Sequence, residues 1–398
     1  MLPVVVALAL SQGQTQPILS PHTSAPFLAA KESHDANCAC GAFLPEYDEN
    51  GAILATQDMA AWPDNAPVAD FPGERHLVNV RQLTFGGQNA EAYWSRDGKK
   101  ITYQTRQPGY PDEQIFVMNA DGSEKRLVST GLGRTTCSYF SPDQKWIYFS
   151  STHEKNEGAQ KPLDMSKGYL WMVNPDFSLY RVRTADVTGK SGKKPAPESV
   201  IKLAGYVAET TIAPNGKFMT FTAKLNDDLN VYRSDVNGGN WKQLTDEIGY
   251  DGGPFVSWDS KKIVWRRDAT YNAADKSDYQ NLLKENLVRP SRLEIWIMDA
   301  DGKNKKQVTH LGCASFAPFL HPNGKQIIFS SNYGDPKGRE FDLWVINVDG
   351  SGLQQITKSP EFDGFPMFTR DGKRLVFGSN RNGKVRGETN VFVADWKQ

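Results

Sequence analysis

Four carboxylates, Glu91, Glu209, Asp251 and Asp363, stand shortly before recurring copies of one short sequence phrase. Arg106, Lys224, Arg267 and Arg381 stand shortly after copies of the same phrase, as do His153 and Asn332, while His310 precedes one. Carboxylates gathered in one place can hold a cation, a basic peptide or the hydroxyls of a sugar. Arginines beside them can take an acid or stack on a ring. The plain alternative for each residue is local: polar side chains in loops often cap neighbouring backbone amides. Which of these applies depends on the elements that hold the residues.

The phrase is an apolar strand, a turn of the type Pro-Asp-Gly-Lys, and a second apolar strand. It occurs as Trp94-Ser95-Arg96-Asp97-Gly98-Lys99, Phe140-Ser141-Pro142-Asp143-Gln144-Lys145 and Ile212-Ala213-Pro214-Asn215-Gly216-Lys217. It returns as Val256-Ser257-Trp258-Asp259-Ser260-Lys261, Leu320-His321-Pro322-Asn323-Gly324-Lys325 and Phe368-Thr369-Arg370-Asp371-Gly372-Lys373. Successive lysines are 46, 72, 44, 64 and 48 residues apart, so the unit is propeller-blade sized and two units carry insertions. Asp or Asn followed by Gly suits a tight hairpin, which needs left-handed backbone. A third strand (Ile115–Met118, Ile295–Met298, Leu343–Ile346) runs to a second turn, and a fourth closes on Gln-Leu-Thr or a relative. Four antiparallel strands per unit and six units predict an all-β, six-bladed β-propeller over residues 76–398. The last unit ends after its third strand, and residues 76–84 form a fourth strand with no partner of their own. The N-terminal strand should therefore complete the last blade and close the ring.

With strands A to D counted outward from the axis, the D–A and B–C connections share one face and the A–B and C–D turns the other. The A–B turns are minimal throughout. The long segments are B–C connections, at 152–177, 268–292, 332–341 and 380–389. Loops held by a rigid sheet are where binding residues concentrate, so the B–C/D–A face is the expected working face. On it Glu91, Glu209, Asp251 and Asp363 would form an acidic mouth, with Arg106, His153, Arg267, His310, Asn332 and Arg381 around it and aromatics such as Trp171, Tyr206, Tyr250, Tyr271 and Phe316. His153 and His310 belong to opposite blades and should not meet. Residues 276–287 should form a short helix with Leu282, Leu283 and Leu287 on one stripe.

These phrases, together with Ile115-Phe116-Val117-Met118-Asn119-Ala120-Asp121-Gly122 and Gln243-Leu244-Thr245, resemble the TolB-like (WD40-like) propeller repeat. The resemblance implies a six-bladed propeller and says little about activity. Related repeats occur in a translocation protein with a preceding α/β domain, in prolyl-peptidases with a following hydrolase domain, and in stand-alone secreted proteins. The expectation is a stand-alone secreted member, through Asp363-Gly364-Phe365-Pro366 and Asn380-Arg381-Asn382-Gly383, so neither neighbour's activity is carried over.

The bulk numbers exclude other classes. With 46 basic and 46 acidic side chains there is no basic face for a nucleic acid, and no stretch is long and apolar enough to span a bilayer. Cys38-Ala-Cys40 is a lone C-x-C, a weak metal signal. Residues 3–10 (PVVVALAL) read as the apolar part of a secretory leader within residues 1–30, which predicts a periplasmic or extracellular protein. Residues 31–75 read as an extension packed on the ring. Asp299-Ala300-Asp301-Gly302 is a hairpin turn, because a calcium loop would need Glu where His310 stands. No nucleophile motif, HExxH or phosphate loop occurs. The expectation is a propeller binding a peptide, protein or glycan at the B–C/D–A face, with no required cofactor. The alternative is a hydrolase or lyase acting on a saccharide at the acidic mouth with a divalent cation.

Overall fold

The computed structural model describes residues 65–397 other than 162, 164, 190–194, 270, 271, 336 and 337. The expected leader, most of the extension, Cys38, Cys40 and Tyr271 lie outside the described residues. Six antiparallel blades follow one another in chain order. Strands A, B, C and D are Gln88–Trp94, Lys100–Arg106, Gln114–Asn119 and Arg126–Leu127 in blade 1, and Thr135–Phe140, Trp146–Ser151, Ser178–Arg183 and Glu198–Ile201 in blade 2. They are Val207–Ile212, Met219–Leu225, Asp228–Ser234 and Lys242–Gln243 in blade 3, and Gly249–Val256, Lys262–Ala269, Glu294–Asp299 and Lys306–Gln307 in blade 4. Blade 5 has Ser315–Leu320, Gln326–Ser331, Asp342–Asn347 and Gln354–Gln355. Blade 6 has Asp363–Phe368, Arg374–Ser379 and Asn390–Trp396, and its fourth strand is the N-terminal Leu77–Gln82, paired antiparallel from Leu77↔Trp396 to Gln82↔Phe392. The ring closes as the sequence predicts.

The turn phrase is fixed by side-chain chemistry. In blade 1 the Ser95 hydroxyl donates to Asp97 Oδ1 at 2.7 Å, and the same carboxylate accepts the Lys99 amide at 3.1 Å. The set repeats at Ser141/Asp143/Lys145, Ser257/Asp259/Lys261 and Thr369/Asp371/Lys373. The residue before the lysine is left-handed in every copy, with φ +65° at Gly98 and 60° at Gln144, which takes the place of glycine in blade 2.

Every strand A carries a bulge at the same point. Register with strand B slips between Ala90 and Tyr93, Thr136 and Tyr139, Ala208 and Thr211, Gly252 and Phe255, Phe316 and Phe319, and Gly364 and Met367. The extra residue in each case has positive φ: Glu91, Cys137, Glu209, Gly253, Ala317 and Phe365. A bulge re-aims side chains, and here it turns one residue per blade toward the axis.

The insertion helix spans Ala273–Lys284, with Asn272 capping its start by accepting the Asp275 amide at 2.9 Å. Its apolar stripe is Tyr279, Leu282 and Leu283. Leu287 is not on it, contrary to the sequence reading. Asn286 adopts left-handed φ of 60° and ends the helix, and Leu287–Val288 go on as a short strand.

Candidate functional site

The structure does not assemble the four carboxylates into one ring. Asp251 and Asp363 are 0% exposed and point into the blades. Asp251 accepts Trp265 Nε1–H at 2.6 Å and lies 3.7 Å from Arg267, which also pairs with Glu247 at 2.7 Å. Burial pushes Asp251 up to about 7, against the opposing pull of Arg267. Asp363 accepts from Arg381 at 3.1 Å and from the Ser359 hydroxyl at 2.6 Å, and Arg381 also grips Glu74 of the N-terminal segment at 3.0 and 3.1 Å. Arg106 pairs with Asp112 beside the buried Arg134–Glu113 pair, which closes at 2.8 Å. Asn332 accepts the Ala314 amide at 2.9 Å, as Asn380 accepts that of Phe362 at 3.0 Å and the Thr152 hydroxyl that of Arg134. In blades 2, 5 and 6 these bonds fasten the loop before strand A to the end of strand B. The physical reason for the misplacement is the bulge. Asp251 and Asp363 stand two residues before the bulge position, whereas Glu91 and Glu209 occupy it.

Glu91 and Glu209 do face the axis, but in a narrow chamber of about 30 Å³ that they share with Cys137, Gly253, Arg266 and Phe365. That volume suits one or two waters. Its floor is aromatic. Tyr93 of blade 1 meets Phe255 of the opposite blade at 5.3 Å, with Tyr139 at 6.0 Å from Tyr93 and Phe319 at 5.7 Å from Phe255. Glu209 is fully engaged: its carboxylate accepts the Thr222 hydroxyl at 2.6 Å, the Gly253 amide at 2.8 Å and the Arg266 guanidinium. Arg266 lies against the rings of Tyr250 and Trp171, at 5.0 and 5.2 Å from their centroids. Gly253 has φ +58°, and a Cβ there would stand 2.1 Å from the Arg266 guanidinium. The other five blades hold side chains at this φ, so it is the space beside Arg266 that calls for glycine here. Arg266 is the residue the sequence reading passed over in favour of Arg267. Strand alternation puts the two on opposite faces of the blade, and this could have been counted.

Above the chamber the B–C insertions of blades 2 and 4 join. Trp171–Met172 from one pairs antiparallel with Leu287–Val288 from the other, and the Val173 amide donates to the Asn286 carbonyl at 2.7 Å. Trp171 sits edge-on to Phe316 at 5.8 Å and to Tyr250 at 6.3 Å, in an apolar cluster with Phe177, Tyr206, Leu283, Phe362 and Phe365. Lys224 donates to the Leu283 carbonyl at 2.7 Å and to Asn286 Oδ1 at 2.9 Å, at the helix C-terminus where a cation is favoured. Blade 3, which lies between the two, has a B–C turn of only Asn226 and Asp227. Its shortness leaves the space through which its neighbours meet. His153 packs on Tyr180 at 4.5 Å and burial lowers its pKa, while His310 is exposed in the loop before blade 5. No contact joins them. Among the described residues there is no group of three or more His, Cys, Asp or Glu placed to hold a metal.

The root of the blade 4 insertion is pH-sensitive. Burial, opposed by Arg292 and reinforced by Asp275, Asp278 and Glu294, raises Asp268 from 3.8 to about 7. The unfolded chain gives up this proton from about pH 4 and the folded chain holds it to about 7. Stability therefore falls as pH rises through that window. Asp268→Asn should flatten the fall by on the order of 2 kcal/mol, allowing for solvent screening. Urea unfolding at pH 4.5 and 7.5 measures it, and an unchanged slope would refute the assignment.

The large hydrophobic residues left exposed among the described residues are Leu132, Tyr169, Tyr333 and Val385, each at 42–44%. Leu132 lies in the loop entering blade 2, and the others in the B–C connections of blades 2, 5 and 6. All four are on the capped face.

No protein-family model matches the chain. A 162-residue stretch is 27% identical to an uncharacterised protein of Agrobacterium fabrum, covering 40% of this chain and 47% of that one, so the match spans about half of the relative's length. A TolB-type structure from Agrobacterium tumefaciens superposes with a TM-score of 0.51 at 17% identity, covering 78% of this chain and 91% of the other. TolB from Acinetobacter baumannii gives 0.52 at 17% identity, covering 76% and 65%. At such identities the likeness concerns the fold.

Proposed function

We propose that this chain, a TolB-like β-propeller in its fold, is a non-catalytic binding protein of the periplasm or extracellular space that docks a protein partner on its capped B–C/D–A face. The observation that carries the reading is the position of the four exposed large hydrophobics on that face, above an axis already filled with side chains. A small glycan or a threaded peptide needs an open mouth, and a chamber of about 30 Å³ admits neither. A protein needs only a surface, with aromatic and aliphatic anchors set in a polar rim. The balanced charge of 46 against 46 fits a partner that is not a nucleic acid. The apolar run at residues 3–10 supports export, and no described helix is long and apolar enough to cross a membrane.

A photo-crosslinking residue placed at Tyr169 or Tyr333 in the producing cells should give a discrete protein adduct. The same residue at Lys217 or Lys325, on the turn face, should not. Equal adducts from both faces, or none from Tyr169 and Tyr333, would reject the reading.

A further inference from the structure

The opposite face also holds a cavity. A groove of about 480 Å³ runs between blades 2 and 3 beneath their A–B turns. Its wall from blade 2 is built by strand pairing: Arg183 lies opposite Trp146 and Arg181 opposite Tyr148. Period-two alternation puts all four on one face of the sheet, toward blade 3, where the Tyr148 hydroxyl donates to the Val236 carbonyl at 3.1 Å. The Arg181 guanidinium lies 4.2 Å from the Trp146 ring centroid and donates to Asn237 Oδ1 at 2.9 Å. It also pairs through Nε with the half-exposed Glu198 at 3.4 Å and donates from Nη1 to the Tyr148 hydroxyl at 3.3 Å, which leaves Nη2 with no hydrogen bond among the described residues and a carboxylate ligand in competition with Glu198. From blade 1, Arg96 reaches over the turn of blade 2 and donates one N–H to the Pro214 carbonyl at 2.6 Å. A guanidinium has five donors in a planar fork, so most of this one remains available. Ile212 and Val236 add apolar wall, and Asp143, already engaged by the Ser141 hydroxyl and the Lys145 amide, is the single acid of the lining.

Two preset guanidiniums, two aromatic rings, an amide side chain and apolar walls in one groove match an anion that also carries amide and apolar parts. We infer that this groove binds a short peptide segment through a carboxylate held by Arg96 and Arg181. Trp146 and Tyr148 pack its side chains and Asn237 reads a backbone amide. The volume is that of a small-molecule site, enough for a few residues and not for a folded domain. The site is separate from the capped face and does not depend on its partner. A carboxylate can come from an acidic side chain or from a chain terminus, and the recognition chemistry is the same.

Calorimetric titration of the full chain with three peptides tests this. They are N-acetyl-Ala-Glu-Ala-amide, N-acetyl-Ala-Gln-Ala with a free C-terminal carboxylate, and the neutral N-acetyl-Ala-Gln-Ala-amide. At least one charged peptide should bind about tenfold or more tightly than the neutral one, and whichever does identifies the source. The preference should weaken from 50 to 300 mM salt and vanish in Arg96→Gln and in Arg181→Gln. Arg181 also ties blade 2 to blade 3, so if Arg181→Gln does not fold, Arg96→Gln decides alone. Equal binding of charged and neutral peptides, no binding at millimolar concentration, or a preference that survives Arg96→Gln would overturn the inference. So would binding of a free uronic acid in place of all three peptides.

Discussion

A chain beginning at residue 85 should fail to fold as a propeller, not fold as one with a trimmed edge. The strand Leu77–Gln82 supplies the fourth strand of blade 6, and Leu77, Val80 and Leu83 are at most 2% exposed in the main core cluster. Each such side chain contributes about 1.5–3 kcal/mol on burial. Their sum is a large share of the roughly 5–15 kcal/mol by which a domain is stable. Removing the strand also uncovers the paired edge of Asn390–Trp396, an open invitation to aggregation. The same deletion removes Glu74, which bonds Arg381 and accepts the Lys358 amide at 2.8 Å. Circular dichroism and urea unfolding check this. A soluble, cooperatively melting product within a few degrees of the parent would contradict ring closure by this strand.

The second large effect is expected at Arg381→Met. Arg381 is the cation between two buried carboxylates, Glu74 at 3.0 Å and Asp363 at 3.1 Å, with side chains 1% and 0% exposed. Its guanidinium also takes up the Ser359 hydroxyl at 3.2 Å. Burial opposes its charge, but the two carboxylates outweigh that and hold it protonated. Removing one partner of a buried pair strands the other, at about 3–5 kcal/mol, and here two negative charges are stranded together. Denaturant titration at pH 7 reads the loss, and a loss under 1 kcal/mol would show that the triad is not a structural staple.

Both effects come from residues whose role was only partly legible in the sequence. The blades were readable because their signal is local. Ser95, Asp97 and Lys99 satisfy one another within five positions, and the pattern repeats. Closure was readable by elimination, from an unpaired strand at one end and a missing one at the other. The site was harder. Counted back from the turn lysines, Asp251 and Asp363 stand ten residues away and Glu91 and Glu209 eight, a spacing that would put all four on one face of a regular strand, and the bulge between the two positions breaks that alternation. Only small residues such as Gly253 and Ala317 hint at the irregularity, and Glu91, Glu209 and Phe365 hide it. That long insertions could cap the ring was legible, but how they join was not. Two residues of one insertion meet two of another more than a hundred positions away, and no periodicity marks Trp171–Met172 or Leu287–Val288 as partners. The groove on the turn face was legible in principle, as Trp146-x-Tyr148 facing Arg181-x-Arg183 across one strand pair. The short, uniform turns of that face carry no other signal that marks it.

The chamber on the axis under the capped face should be too narrow to take a ligand, so that binding there happens on the surface. Cys137 lines the chamber and is buried, which makes it the reporter. In a Cys38→Ser, Cys40→Ser, Cys313→Ser background, its rate of reaction with a small thiol reagent should be at least about a hundredfold below that of the unfolded chain. Trp171→Ala, which takes the plug from the cap, should raise it. A native-state rate equal to that of an exposed thiol would mean that the mouth is open, and would return the function to a ligand held among Glu91, Glu209 and Arg266.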